Sequence, residues 1–212
     1  MSPREAIALQ KKLAPLVKET SELPPNLTRL VGCDATYIQG TTLAAAALVK
    51  YEDGNLLKVR IVRERTRFPY IPGLLAFREA PAVLRAIRSL RANPYVCLVD
   101  AHGLAHPRRF GLACFIGVAL DRPTVGVAKS LLYGTVHDNR VLDEGGYQIA
   151  EVLPLPQSQK AIYVSVGHKI SLKDAVRIVK HCLTAHGPAP IRYAHEMVTK
   201  EKWQLKKSNQ AS

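Results

Sequence analysis

The chain lacks most of the features that would take it out of the ordinary globular class. No apolar run approaches the roughly 20 residues needed to cross a bilayer. The opening stretch, MSPREAIALQ, has no apolar core of the kind a secretory signal carries. A cytoplasmic location is the expectation. Cysteine is scarce: Cys33, Cys97, Cys114 and Cys182 form no C-x-x-C pair, which argues against a zinc site. Three of the four lie in apolar stretches and read as small buried hydrophobes of a reducing compartment. There is no internal repeat and no low-complexity tract. Negative charge is also in short supply. Seventeen Asp and Glu face 30 Lys and Arg, for a net charge of +13. Such a balance favours a polyanionic partner, nucleic acid ahead of a membrane surface.

What is present fits one domain spanning residues 1–212, expected to act as a monomer. Ser2 and Pro3 suit the cap and first position of a helix whose stripe is Ile7, Leu9, Leu13, Leu16 and Val17. Leu30–Tyr37, Thr42–Tyr51 and Leu56–Arg67 read as three antiparallel strands, the last two joined by a turn at Glu52-Asp53-Gly54-Asn55. A loop with two prolines and a glycine follows. Pro81 then predicts a helix start, with Glu79 at its entry and Val83, Leu84, Ile87 and Leu90 as its stripe. Tyr95–Asp100 and Thr124–Ala128 look like buried parallel strands, with helix Leu112–Leu120 between them. Ile162–Val166 reads as a further strand. Ser171 and Asp174 open a helix with Leu172, Ala175, Val176, Val179 and Leu183 on its buried face. A basic amphipathic helix closes the chain and frays into a polar end. Three antiparallel strands followed by parallel βα units make an α/β, ribonuclease H-like arrangement with a mixed central sheet flanked by helices. In that arrangement the first strand neighbours the fourth, so Asp34 and Asp100 face each other.

An unpaired buried carboxylate costs several kcal/mol, so a pair of them calls for a cation or donors. Mg²⁺ prefers carboxylates, waters and phosphate oxygens. Two such ions about 4 Å apart can serve phosphodiester hydrolysis. Asp34, Glu79 and Asp100 are the candidate ligands, although an Asp ending a strand is often a turn or cap residue.

The segments around these carboxylates are more specific. VGCDATY, FPYIPGLLAFRE (68–79), DAHGLAHPRRFGLA (100–113), PTVGVAKSLLYG (123–134), YVSVGHKIS and IRYAHEM together resemble the endonuclease V family over nearly the whole chain. The resemblance implies an endonuclease of DNA repair. It recognises inosine and hydrolyses the second phosphodiester on its 3′ side, leaving 3′-hydroxyl and 5′-phosphate ends. It also implies Mg²⁺, with Mn²⁺ as a substitute, held by Asp34, Glu79 and Asp100. His195 completes the site directly or through water, Lys129 holds the attacking water or a phosphate oxygen, and His106 orients a phosphate or a bound water. Tyr70 is the wedge that enters the duplex beside the flipped base. Pro72, Gly73, Leu75, Leu112, Gly126 and Leu132 belong to the base pocket. Ala101 departs from the glycine common in relatives, and its added methyl is expected either to narrow that pocket or to shift a backbone donor. Arg108 and Arg109, beside the motif, are the best candidates for phosphate contacts. The partner is inosine-containing nucleic acid, DNA ahead of RNA. Three other readings stay open at this stage: an inosine-specific endoribonuclease, another ribonuclease H-like nuclease, and a non-catalytic nucleic-acid-binding module.

Overall fold

A computed structural model describes residues 1–93 and 95–210, with the side chains of 209 and 210 outside the description. The helical segments are α1 (Pro3–Leu13), α2 (Leu75–Ser89), α3 (Leu112–Leu120), α4 (Leu172–His181) and α5 (Ala189–Gln210). The strands are β1 (Arg29–Ile38), β2 (Thr41–Lys50), β3 (Leu56–Arg65), β4 (Val96–Val99), β5 (Thr124–Ala128), β6 (Thr135–His137), β7 (Arg140–Leu142), β8 (Gln148–Pro154) and β9 (Ala161–His168), with a small hairpin β10 (Leu183–Thr184) and β11 (Gly187–Pro188). The main sheet has the order β3-β2-β1-β4-β5-β9-β8-β7-β6.

β1 pairs antiparallel with β2 and parallel with β4, and β4 is parallel to β5, as the sequence predicts. β9 differs, for it returns antiparallel to β5. The strands β6, β7 and β8 extend the sheet beyond it and have no counterpart in the sequence reading. β6 and β7 are three residues each, too short for alternation to register.

The helix over residues 75–89 also differs. It begins at Leu75, and Pro81 lies inside it. Ala76 and Ala80 are buried against the sheet side together with Val83 and Ile87, so the apolar stripe starts a turn and a half before the proline. Packing of that stripe outweighs the one backbone hydrogen bond that Pro81 removes. Glu79 is therefore held within a helix rather than at its entry. Leu183, expected on the face of α4, starts β10 instead. The closing helix, expected to fray into its polar end, continues through Ser208 and Asn209 to Gln210, and residues 211–212 lie outside the described residues.

Helices cover both faces of the first half of the sheet, and β2 shows why that is feasible. Its run Ala44-Ala45-Ala46-Ala47 is completely buried. Ala44 and Ala46 face α2, whereas Ala45 and Ala47 meet Ala194 and Val198 of α5. Methyl-sized side chains let both helices approach closely. Gly32 of β1 takes this further. A Cβ there would lie 2.1 Å from the Pro190 carbonyl carbon and 2.4 Å from the Ile191 amide nitrogen, so only glycine admits the start of α5. All four cysteines are buried and free. Among the described residues no helix is long and apolar enough to cross a membrane.

Gly32→Ala pushes α5 off β1 and should cost about 1–3 kcal/mol, the usual range for overpacking. A denaturant melt beside wild type measures this, and an unchanged midpoint contradicts the close-approach argument.

Candidate active site

The parallel ladder between β1 and β4 ends on the pair Cys33 and Val99. The next residues on the two strands are Asp34 and Asp100, and the Asp100 amide donates to the Cys33 carbonyl at 3.0 Å. Matching positions on parallel neighbours put both carboxylates on one face. They share the face on which Gly32 admits α5, and α5 brings His195 to them. The His195 Nδ1–H donates to the Asp34 carboxylate at 2.7 Å. Asp34, Asp100 and His195 each offer a ligand atom within 4.8 Å of the others. Lys129, immediately after β5, donates its ammonium to Asp100 Oδ2 at 2.6 Å.

Glu79 comes from α2 on the other side of the sheet and lies outside that tight trio. It still feels it. Burial first, and then the charge of Asp34, pushes the Glu79 carboxyl up to about 8. Burial and the Asp100 charge raise Asp34 as well, against the pull of His195 and Lys129. Carboxyls held from ionising by one another's charge form a centre that a divalent cation relieves, and oxygen donors of this kind suit Mg²⁺. The residues present fit such an ion.

Beside the carboxylates opens a cavity of about 280 Å³. Tyr70, Pro72, Gly73, Leu75, Leu112 and Leu132 line it, with Asp100 and Lys129 on its shared wall. Tyr70 is 66% exposed on the loop before α2. Gly126 does not line the cavity. A Cβ on it would lie 2.4 Å from the Gly103 amide and 2.7 Å from the Ala101 carbonyl, so it lets the 101–103 backbone cross β5 closely. Ala101 itself is a wall residue of the cavity.

His106 has a different place from the one expected. It is 2% exposed, and its Nε2 bonds the Gly73 carbonyl at 2.9 Å. The Arg108 amide donates to its Nδ1 at 3.2 Å, which fixes the proton on Nε2. The ring therefore holds the loop that carries Tyr70. Arg108 does the same, donating from Nη2 to the Gly73 carbonyl at 2.7 Å and from Nε to Gln10 at 2.6 Å. Arg109 pairs with Glu19 and Asp143. Both arginines thus have partners within the fold instead of presenting free guanidinium groups for phosphate.

Gln10 is the residue that sequence reasoning missed. It is 1% exposed, and its amide donates to the carbonyls of Gly73 and Phe110, both at 3.0 Å. The Gly73 oxygen thus receives three donors, from Gln10, His106 and Arg108. Gly73 has φ +76°, which favours glycine, and a Cβ would meet the Arg108 guanidinium at 2.8 Å, so a larger residue would displace that donor. A signal existed. Gln10 follows Ala6 by one turn on the buried side of α1, a polar residue in a stripe that should be apolar.

Burial, followed by the nearby Arg108 charge, pushes His106 down to about 4, so the ring is neutral at neutral pH. Its folded pKa lies below the unfolded value near 6.5. Its contribution is therefore complete above about pH 6.5 and is lost as pH falls through about 4. The stability difference between wild type and His106→Gln should shrink by up to about 3 kcal/mol over that window. Thermal melts of both proteins across it measure the change, and a constant difference contradicts a buried neutral ring.

A family model described as Endonuclease V matches residues 11–196. Endonuclease V of Thermus thermophilus is 40% identical over 205 residues, covering 91% of this chain and 90% of that protein. The crystal structure of endonuclease V from Streptomyces avermitilis superposes with a TM-score of 0.88 at 31% identity, covering 98% of this chain and 95% of that one. Endonuclease V of Ciona intestinalis, in complex with a 24mer DNA containing an inosine followed by a ribo-adenosine, gives a TM-score of 0.88 at 26% identity, covering 95% of this chain and 98% of that one. The matched span takes in Asp34, Tyr70, Glu79, Asp100, Lys129 and His195, and with this identity along nine tenths of its length the chain belongs to the endonuclease V family.

Proposed function

We propose that this protein, acting as a single-domain monomer, recognises inosine in nucleic acid and hydrolyses the second phosphodiester 3′ to it. The products are a 3′-hydroxyl and a 5′-phosphate. The observation that carries this reading is the wall shared by the base-sized cavity and the carboxylate site, formed by Asp100 and Lys129. A base lodged in the cavity brings its own 3′ backbone to the carboxylates.

Asp34 and Asp100 would hold Mg²⁺, or Mn²⁺ in its place, with Glu79 and His195 beside them. The ion supplies activation of water and neutralisation of charge on the phosphodiester. The chain's own groups do the rest. The Lys129 ammonium exchanges its Asp100 contact for a phosphate oxygen and holds the phosphodiester against the carboxylates. Tyr70 takes the stacking position left by the extruded base. The closely packed backbone of 101–103, Gly73 and the apolar side chains of Leu75, Leu112 and Leu132 enclose that base. Inosine presents O6 and a protonated N1 in place of adenine's amine and bare nitrogen, an edge that backbone N–H and C=O groups can read.

Inosine in RNA is the second reading. The Ciona relative's ligand, in which a ribonucleotide follows the inosine, favours it. Matched DNA and RNA oligonucleotides, each with one inosine, separate the two by relative cleavage rate.

Asp34→Ala and Asp100→Ala should each abolish cleavage while the fold and some binding remain. Product end-group mapping with Mg²⁺ and with EDTA tests the reaction class, and undiminished cleavage in EDTA or release of a free base overturns it. Tyr70→Ala should weaken inosine-site binding by about tenfold to a hundredfold, the worth of one base–aromatic stack, and Tyr70→Phe much less. A Tyr70→Ala variant that weakens inosine and undamaged substrates equally, with a lower melting temperature, refutes the wedge.

A further inference from the structure

A second and larger cavity, about 1080 Å³, also adjoins the carboxylate site, with Asp100 and His195 in its lining. The two cavities share Asp100 and Lys129. One wall is the β8–β9 turn, residues 155–160, and the other is the β10–β11 hairpin with the first turns of α5. We propose that this groove is the binding track for the part of the nucleic-acid strand 3′ of the scissile phosphate. The inference rests on the inosine-directed reading above, because that reading supplies the polarity. If the base lies in the small cavity and the cut falls to its 3′ side at the carboxylates, the strand that continues past them is the 3′ flank.

The chemistry of the groove suits a sugar–phosphate backbone. Lys160 stands exposed on the turn, and among the described residues no carboxylate lies within ion-pair distance of its ammonium. His186 is exposed at the tip of the facing hairpin. Arg192 projects from α5, where its guanidinium meets Glu196 one turn on at 2.6 Å and lies 4.5 Å from the centre of the Tyr193 ring. Glu196 is exposed and Arg192 half-buried, and an i,i+4 pair open to solvent on one side is weak enough for a phosphate to compete for the guanidinium. Between the cations, Gln157, Ser158 and Gln159 present neutral donors and acceptors to sugar and phosphate oxygens.

The track is built before any substrate arrives. The Leu155 amide donates to the Lys160 carbonyl at 2.9 Å and the Ser158 amide to the Leu155 carbonyl at 3.3 Å, closing the turn. On the facing wall the Thr184 hydroxyl donates to the Gly187 carbonyl at 2.6 Å, and the Ala189 amide donates to the Cys182 carbonyl at 2.8 Å. None of these groups contributes to the base pocket or to the trio of Asp34, Asp100 and His195.

Two inosine oligonucleotides test the proposal, one ending just beyond the scissile bond and one carrying a long 3′ extension, with equal 5′ flanks. Binding and single-turnover cleavage with Mg²⁺ are measured against salt for wild type, Lys160→Ala and the double variant Lys160→Ala/Arg192→Ala. Wild type should prefer the long substrate by about tenfold or more at low salt, with a steeper salt dependence. Each substitution should lower the salt slope on the long substrate by about one, and the double variant should bring the long-to-short ratio close to unity. A wild-type enzyme indifferent to 3′ length, or variants that weaken both substrates by the same factor, overturns the groove assignment while cleavage of inosine stands. Absence of inosine cleavage on both substrates by wild type instead overturns the underlying reading, and the groove's polarity with it.

Discussion

Asp34 and Asp100 occupy matching positions on two adjacent parallel strands, and neither can move away from the other without breaking the ladder behind it. Their repulsion is thus a fixed property of the fold. The neighbouring groups answer it: Lys129 on Asp100, His195 on Asp34, and Glu79 held up near 8. The rest of the architecture serves this pair. The alanines of β2 and Gly32 of β1 let α5 and α2 close on the sheet from opposite faces, which brings His195 to Asp34 and puts Glu79 within range of the aspartates' charge.

The parts of the fold that were legible in the sequence are those where chemistry and periodicity agree. An apolar strand carrying Asp34 and a short apolar run ending at Asp100 made the two carboxylates legible as neighbours, and the β1–β4 ladder bears that out. The 162–166 stretch read as a strand, but its direction did not, because alternation is the same either way along the chain. β6 and β7 were invisible because strands of three residues are held by the ladder they join rather than by local pattern, and the seven residues of β8 were passed over with them. Pro81 misled because a local penalty was weighed without the stripe of Ala76 and Ala80 that overrides it.

The candidate site divides in the same way. Carboxylates, Tyr70 and Lys129 were recognisable because their motifs carry them, and Tyr70, Asp100 and Lys129 line one cavity. His106 and Arg108 sat in the same motif and yet face the Gly73 carbonyl, since a motif records proximity in sequence and not the direction of a side chain. Gln10 lay outside every recognisable segment. Charge was the weakest guide to individual residues. Several of the many arginines, including Arg63, Arg85 and Arg109, meet carboxylates within the fold, so the surplus of +13 describes the surface as a whole and names few contacts.

In the inosine-directed reading proposed above, the clamp on the Gly73 carbonyl bears on how the protein searches. A loop tied down by Gln10, His106 and Arg108 needs little ordering when nucleic acid arrives, so its aromatic tip is offered in finished form to each site it meets. Encounters with intact bases can then be brief, because no loop has to fold and unfold between them. In that reading two filters act in series: the preformed loop first tests how readily a nucleobase leaves its stack, and the pocket then reads the edge of the base that has left it.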